Sequence, residues 1–124
     1  MNENRKAYRI TVFISQDALD DFIAAIQDKI PAFDAPYDRV MWWSEPRIEA
    51  GTEQFRALKG AQPASGHIGE TKRIPTTRLE FLCPYKEKET RQFIINILKP
   101  AHPFNDPVIY YEEIIWPENT TSQK

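Results

Sequence analysis

An α+β domain, with two helices on one face of an antiparallel sheet, is what three features of this 124-residue sequence predict. Period-two alternation over residues 8–14 and again over 76–84 marks strands. After each of these come apolar residues at three- and four-residue steps: Leu19, Phe22, Ile23, Ile26 and Ile30, then Phe93, Ile94, Ile97 and Leu98. That spacing marks helices with a single buried stripe. Finally, all four glycines (Gly51, Gly60, Gly66 and Gly69) fall inside one stretch, GTEQFRALKGAQPASGHIG. Glycines gathered there point to one place where the backbone takes positive φ or passes close to a neighbour.

In the first strand Tyr8, Ile10, Val12 and Ile14 share one face, and Arg9, Thr11 and Phe13 take the other. Ser15 or Asp17 caps the first helix, and the acids at 17, 20 and 21 suit its positive end. Pro31 stops that helix, because a residue preceding proline avoids the helical region. After a loop over 31–36, residues 39–44 read as a strand with Trp42 and Trp43 on opposite faces. Two helices cover only one face of a sheet. The outward tryptophan therefore implies a second apolar layer, most simply another copy of the chain. The competing reading places it under the long loop.

Residues 54–58 are expected to form a short strand turning back on the second one, with the turn near 50–51. Residues 59–75 read as an ordered loop, longer than ordinary connections. In the strand over 76–84, Leu79, Phe81 and Cys83 point inward and Arg78, Glu80 and Leu82 outward. A helix over 86–98 ends at Pro100, and 108–115 form the last strand. The predicted domain spans 1–116, followed by a polar tail over 117–124. This order of elements is the split β-α-β arrangement of ferredoxin-like folds.

The length suits one domain. A formal charge of -2 offers no basic footprint for nucleic acid. The single cysteine excludes an internal disulfide and fits a reducing compartment. No apolar run is long enough for a signal peptide or membrane span, so a cytoplasmic protein without a membrane partner is expected.

The glycine-rich stretch, with Arg56, Lys59, Lys72 and Arg73 around it, is a candidate cradle for an anion through backbone amides. It lacks the GxxxxGK[ST] pattern of a P-loop, and a loop built only for packing competes with that reading. For a metal ion the candidates are His67, His102 and Cys83, with Asp106 beside them. None has the spacing of a CxxC or HxxxH site. Cys83 falls on the apolar side of its strand, which suits a core residue. His102 lies in AHPFNDP, where Asn105 or Asp106 is placed to satisfy nearby backbone groups. Nothing pairs Ser44, Ser65 or Cys83 with a base, and the acid pairs 20–21 and 112–113 read as solvated charge. No active site and no cofactor are expected.

These blocks together resemble the PII-like domain inserted in YqfO-type proteins of the NGG-interacting-factor-three-like family, and its free-standing relatives. The resemblance runs from about residue 8 to 111. It rests on YRITVFISQDAL, the glycine-rich stretch, the Arg78-Leu79-Glu80 strand and AHPFNDPV. Two departures stand out. Where the family has G-T-F-R-P, this chain has Glu53, Gln54, Phe55, Arg56 and Ala57; where HPYEEP is usual, it has HPFNDP. The resemblance implies a homotrimer on a ferredoxin-like sheet, as in PII and CutA proteins. A small molecule, anion or partner protein would sit at subunit clefts lined by Gly51, Arg56, Lys59, Gly60, Gly66, His67, Gly69 and His102. Trp42 or Trp43 would then lie in the interface. The alternatives are a CutA-like divalent-metal site using His67, His102, Cys83 and Asp106, and an accessory domain beside a separate dinuclear-metal hydrolase.

Overall fold

The structure, a computed structural model, describes residues 3–32, 37–44, 51–64 and 66–118. Five strands form one sheet: β1 (Glu3–Ser15), β2 (Trp42–Trp43), β3 (Gly51–Arg56), β4 (Thr71–Cys83) and β5 (Ile109–Glu118). Helix α1 (Leu19–Ile26) is flanked by single 3-10 turns at Gln16–Ala18 and Gln27–Lys29. Helix α2 has three parts: α-helical Glu87–Phe93, a π turn at Ile94–Leu98, and a last turn at Lys99–Ala101. β1 lies between β4 and β5, while β2 and β3 both pair with the outer edge of β4; every pairing is antiparallel. The architecture is α+β, an antiparallel sheet with two helices, consistent with a ferredoxin-like fold.

The alternation in β1 and β4 decides which face is buried. Ile10 stands opposite Phe81 and Val12 opposite Leu79, so the apolar residues of both strands fall on one face. Leu19, Phe22 and Ile26 of α1 and Phe93, Ile94 and Leu98 of α2 close over them. Each such side chain contributes about 1.5–3 kcal/mol on burial. Trp43, opposite Leu79, packs against this core, whereas Trp42, opposite Glu80, is 55% exposed on the other face. Among the described residues no helix covers that second face. It carries the Phe13–Tyr110 ring pair and the ion pairs Arg9–Glu112 and Arg78–Glu80.

Several expectations need correction. β3 pairs with β4, not with β2. A thirteen-residue β4 offers an edge long enough for both, β2 taking Leu79–Glu80 and β3 taking 71–76. The long loop is correspondingly shorter, because β4 starts at Thr71. Ser15 is extended at the helix entrance but its side chain makes no cap bond. α2 does not stop at Pro100; the chain stays helical to Ala101. Proline has no N–H to give, and the π turn just before it, where Lys99 N–H reaches the Ile94 carbonyl, shifts the ladder so that the helix continues. β5 reaches Glu118, so the first two residues of the expected tail, Pro117 and Glu118, belong to the sheet. The expected turn at 50–51 falls partly, and Ser65 wholly, outside the described residues.

Candidate functional site

At the end of the sheet where β1 gives way to α1, three segments meet: β3, the glycine-rich loop after it, and residues 102–108 after α2. His102 holds the last of these in place. It is 6% exposed; its Nε2 lies 2.8 Å from the Phe13 carbonyl oxygen and its Nδ1 accepts the Phe104 N–H at 3.1 Å. A carbonyl accepts and an N–H donates, so the ring is neutral with its proton on Nε2. Burial lowers the His102 pKa, and the bond to Phe13 partly offsets that. Phe22 and Phe104 stack edge-on against the ring, at 5.6 and 5.2 Å between centroids.

The glycine-rich loop folds on itself. Ala61 N–H donates to the Leu58 carbonyl at 2.9 Å and Gly69 N–H to the Ala57 carbonyl at 2.8 Å. The Glu70 carboxylate accepts the His67 N–H at 3.1 Å. Gly60, Gly66 and Gly69 have φ of +97°, +81° and +86°, the left-handed region that glycine enters without steric cost. The amides of Ala61, His67, Gly69 and Glu70 are thus bonded within the loop.

Between this loop and the 102–108 segment lies a cleft of 480 Å³. β3 contributes Glu53, Phe55 and Arg56, the loop contributes Gly60 and Gln62, and the opposite wall contributes Phe104, Asn105 and Asp106. Phe55 and Phe104 meet edge to face across it, 6.3 Å between centroids. Glu53 is half-buried, and the Thr76 hydroxyl donates to it at 3.4 Å. Burial raises its pKa, with Thr76 pulling weakly the other way.

Of the residues singled out in the sequence, Arg56 and Gly60 line this cleft and Asp106 faces them from the other wall. Gly51 lines a neighbouring depression of 380 Å³ with Trp42 and Arg78. Lys59, Gly66, His67 and Gly69 belong to the loop but not to the lining. His102 lies behind the wall, where it fixes the backbone that was expected to rely on Asn105 or Asp106. Cys83 is buried; the Thr90 hydroxyl donates to its sulfur at 3.7 Å, and burial pushes its pKa up. No group of three or more metal-ligating side chains occurs among the described residues. Glu53, Phe55 and Phe104 were missed as lining residues. The available signal was that Glu53 and Phe55 share one side of a strand.

A second cavity, 570 Å³, lies at the opposite end of the sheet between the chain after α1 and the strands, lined by Tyr37, Val40, Trp42, Leu82 and Trp116 with Arg9 and Glu80. No helix among the described residues is long and apolar enough to cross a membrane.

No protein-family profile matches the chain. Among curated proteins, a Mycobacterium tuberculosis "GTP cyclohydrolase 1 type 2 homolog" is 36% identical over 58 residues, 47% of this chain and 14% of that protein. A Staphylococcus aureus protein of the same description is 23% identical over 113 residues, 91% of this chain and 29% of its own length. This chain thus spans less than a third of the length of the curated relatives it matches. Among solved structures, a Bacillus cereus protein related to NIF3 superposes with a TM-score of 0.62 at 18% identity, over 95% of this chain and 27% of that one. A Staphylococcus aureus protein of known structure gives 0.56 at 17% identity, over 94% and 25%. At such identities the structures establish a shared fold, and together with the curated relatives they bear out the resemblance to NGG-interacting-factor-three-like proteins.

Proposed function

We propose that this chain, a counterpart of one segment of the longer NIF3-related proteins, is a non-catalytic PII-like or CutA-like module. It assembles as a homotrimer and binds a small ligand, anion or partner protein at its clefts. The observation that carries this reading is the cleft between the glycine-rich loop and the 102–108 segment. Its volume falls within the about 300–1,000 Å³ typical of small-molecule sites, and it combines aromatic walls with a few polar groups. Support for recognition over chemistry comes from His102, whose two ring nitrogens are both taken by main-chain groups, and from Cys83, which is buried. Trp42, Tyr110 and the second cavity, all on or beside the sheet face without a helix, support self-association. Light scattering combined with isothermal titration against nucleotides and small anions tests the proposal. A mass of three chains and measurable heat are expected; a monomer that binds nothing overturns it.

A second reading has one observation in its favour, the much greater length of the relatives. On that reading the module serves as an accessory to a separately encoded dinuclear-metal hydrolase. Co-purification of such an enzyme with the tagged chain is its expected result, and its loss on deleting the module's open sheet face contacts checks specificity.

A further inference from the structure

Resting on the reading of this cleft as a ligand site, we infer that it takes a small organic cation: a protonated amine carried on an aromatic or aliphatic body. The alternation of β3 decides which side chains face the cleft. Phe55 does, because its ring meets Phe104 across it. Glu53, two residues earlier, shares that side of the strand, and both are half-buried. Gln54 and Arg56 fall on the other side, where both are exposed and Arg73 Nε donates to Gln54 at 2.7 Å. The Arg56 side chain is thus turned away from the cleft that the residue borders. Lys72, opposite Phe55 in the pairing, packs beside Gly66 and is not part of the wall. The remaining charged residue of the lining, Asp106, is also acidic.

A half-buried carboxylate without a counter-ion is the feature that names the class. Among the described residues the Glu53 carboxylate has one polar contact, the Thr76 hydroxyl at 3.4 Å, and no basic partner. It therefore keeps acceptor capacity for the N–H groups of an ammonium. An anion would be repelled here, and a neutral ligand would take water from the carboxylate without replacing it. Phe55 and Phe104 complete the site, because an aromatic face attracts a positive charge and also packs against hydrocarbon. Burial disfavours the ionised form of Glu53, and a ligand ammonium would offset that.

Isothermal titration of the full chain with three probes of one shape and different charge tests the inference: 2-phenylethylamine, the neutral 2-phenylethanol and the anionic 3-phenylpropionate. At pH 7 the amine should bind about tenfold or more tightly than either of the others, the factor expected for one charge-assisted contact. Glu53→Gln should erase that preference by weakening the amine about tenfold and leaving the alcohol as it was. Phe104→Leu keeps an apolar wall but removes an aromatic face, so it should weaken the amine about threefold more than the alcohol. Circular dichroism confirms that the variants fold. Should one fail to fold, the three probes on the unaltered chain decide alone. Absence of heat with the amine, an alcohol or carboxylate binding as tightly, or an amine preference that survives in Glu53→Gln overturns the inference. Binding of 2-phenylethanol, 3-phenylpropionate or a nucleotide in that case leaves the cleft standing as a ligand site.

Discussion

His102 and Phe13 are 89 residues apart in the chain, yet the imidazole Nε2 of one lies 2.8 Å from the carbonyl oxygen of the other. This contact ties the segment after α2 to the end of β1, and with it one wall of the cleft. Replacing His102 by alanine removes a buried ring and leaves the Phe13 carbonyl and the Phe104 N–H without their partner. The expected cost is about 2–4 kcal/mol, read from urea unfolding. Binding at the cleft should weaken with it, because Phe104 loses its support.

Protonation of the same ring has a defined sign. The folded pKa of His102 lies below the ordinary value of 6.5. The unfolded chain therefore takes up the proton first as pH falls. The stability that the neutral ring confers is complete above pH 6.5, declines below it, and stops declining once the pH is under the folded value. Physically, a proton on Nδ1 would face the Phe104 N–H donor. Urea midpoints of wild type and His102→Gln between pH 8 and 5 check this. Their difference should shrink toward acid pH, and a constant difference contradicts it.

Most of the sheet and both helices were legible because the alternation at Ile10, Val12, Leu79 and Phe81 and the stripe at Leu19, Phe22 and Ile26 are local records of one core. The partner of β3 was not legible. Its choice between β2 and β4 depends on the length of β4's free edge, which no residue of β3 encodes. The cleft was half legible. Glycines mark the loop from the sequence alone, and Arg56 and Gly60 followed from them. The approach of Phe104 to Phe55 is long-range, and it depends on a histidine whose acceptor lies at the other end of the domain. His102 drew attention as a possible ligand because a sequence displays its chemistry but not its two backbone partners.

Gly66 tests whether the loop's shape is required. Its φ of +81° lies in the left-handed region, and a Cβ there would stand 3.2 Å from a Glu70 carboxylate oxygen. Glu70 is the group that accepts the His67 N–H, so it cannot move away without breaking that bond. Gly66→Ala should cost about 1–2 kcal/mol. Gly51 has no positive φ and makes the control, with a smaller cost in the same thermal or urea melt.

Glu53 carries the opposite kind of pH signature from His102. Burial raises its folded pKa above the ordinary value of 4.5, so ionisation opposes folding. The stability associated with the protonated form is complete below about pH 4.5 and is lost as pH rises through the folded value. Glu53→Gln stays neutral and keeps an acceptor for Thr76. It should be slightly more stable than wild type at pH 7, by about 0.5 kcal/mol or less after solvent screening, and equal to it near pH 4. A variant less stable than wild type at pH 7 would mean that the carboxylate has a favourable partner in the folded chain.

Trp42 and Trp43 are adjacent in sequence and differ in what they touch, which makes them a paired test of the proposed assembly. Trp43 packs on the core from its position opposite Leu79, so Trp43→Ala should destabilise the fold itself, by about 3 kcal/mol for a ring that is only partly buried. Trp42 is 55% exposed and borders both the large cavity and the depression beside Gly51. In an isolated chain Trp42→Ala should alter stability by no more than about 0.5 kcal/mol, as ordinary surface changes do. In a trimer that buries this face, it should instead shift the mass toward monomer and make the melting temperature depend on protein concentration, while the far-ultraviolet spectrum stays unchanged. Light scattering of the two variants at matched concentrations separates the cases. If Trp42→Ala keeps the mass and stability of wild type, the tryptophan face is not where copies meet.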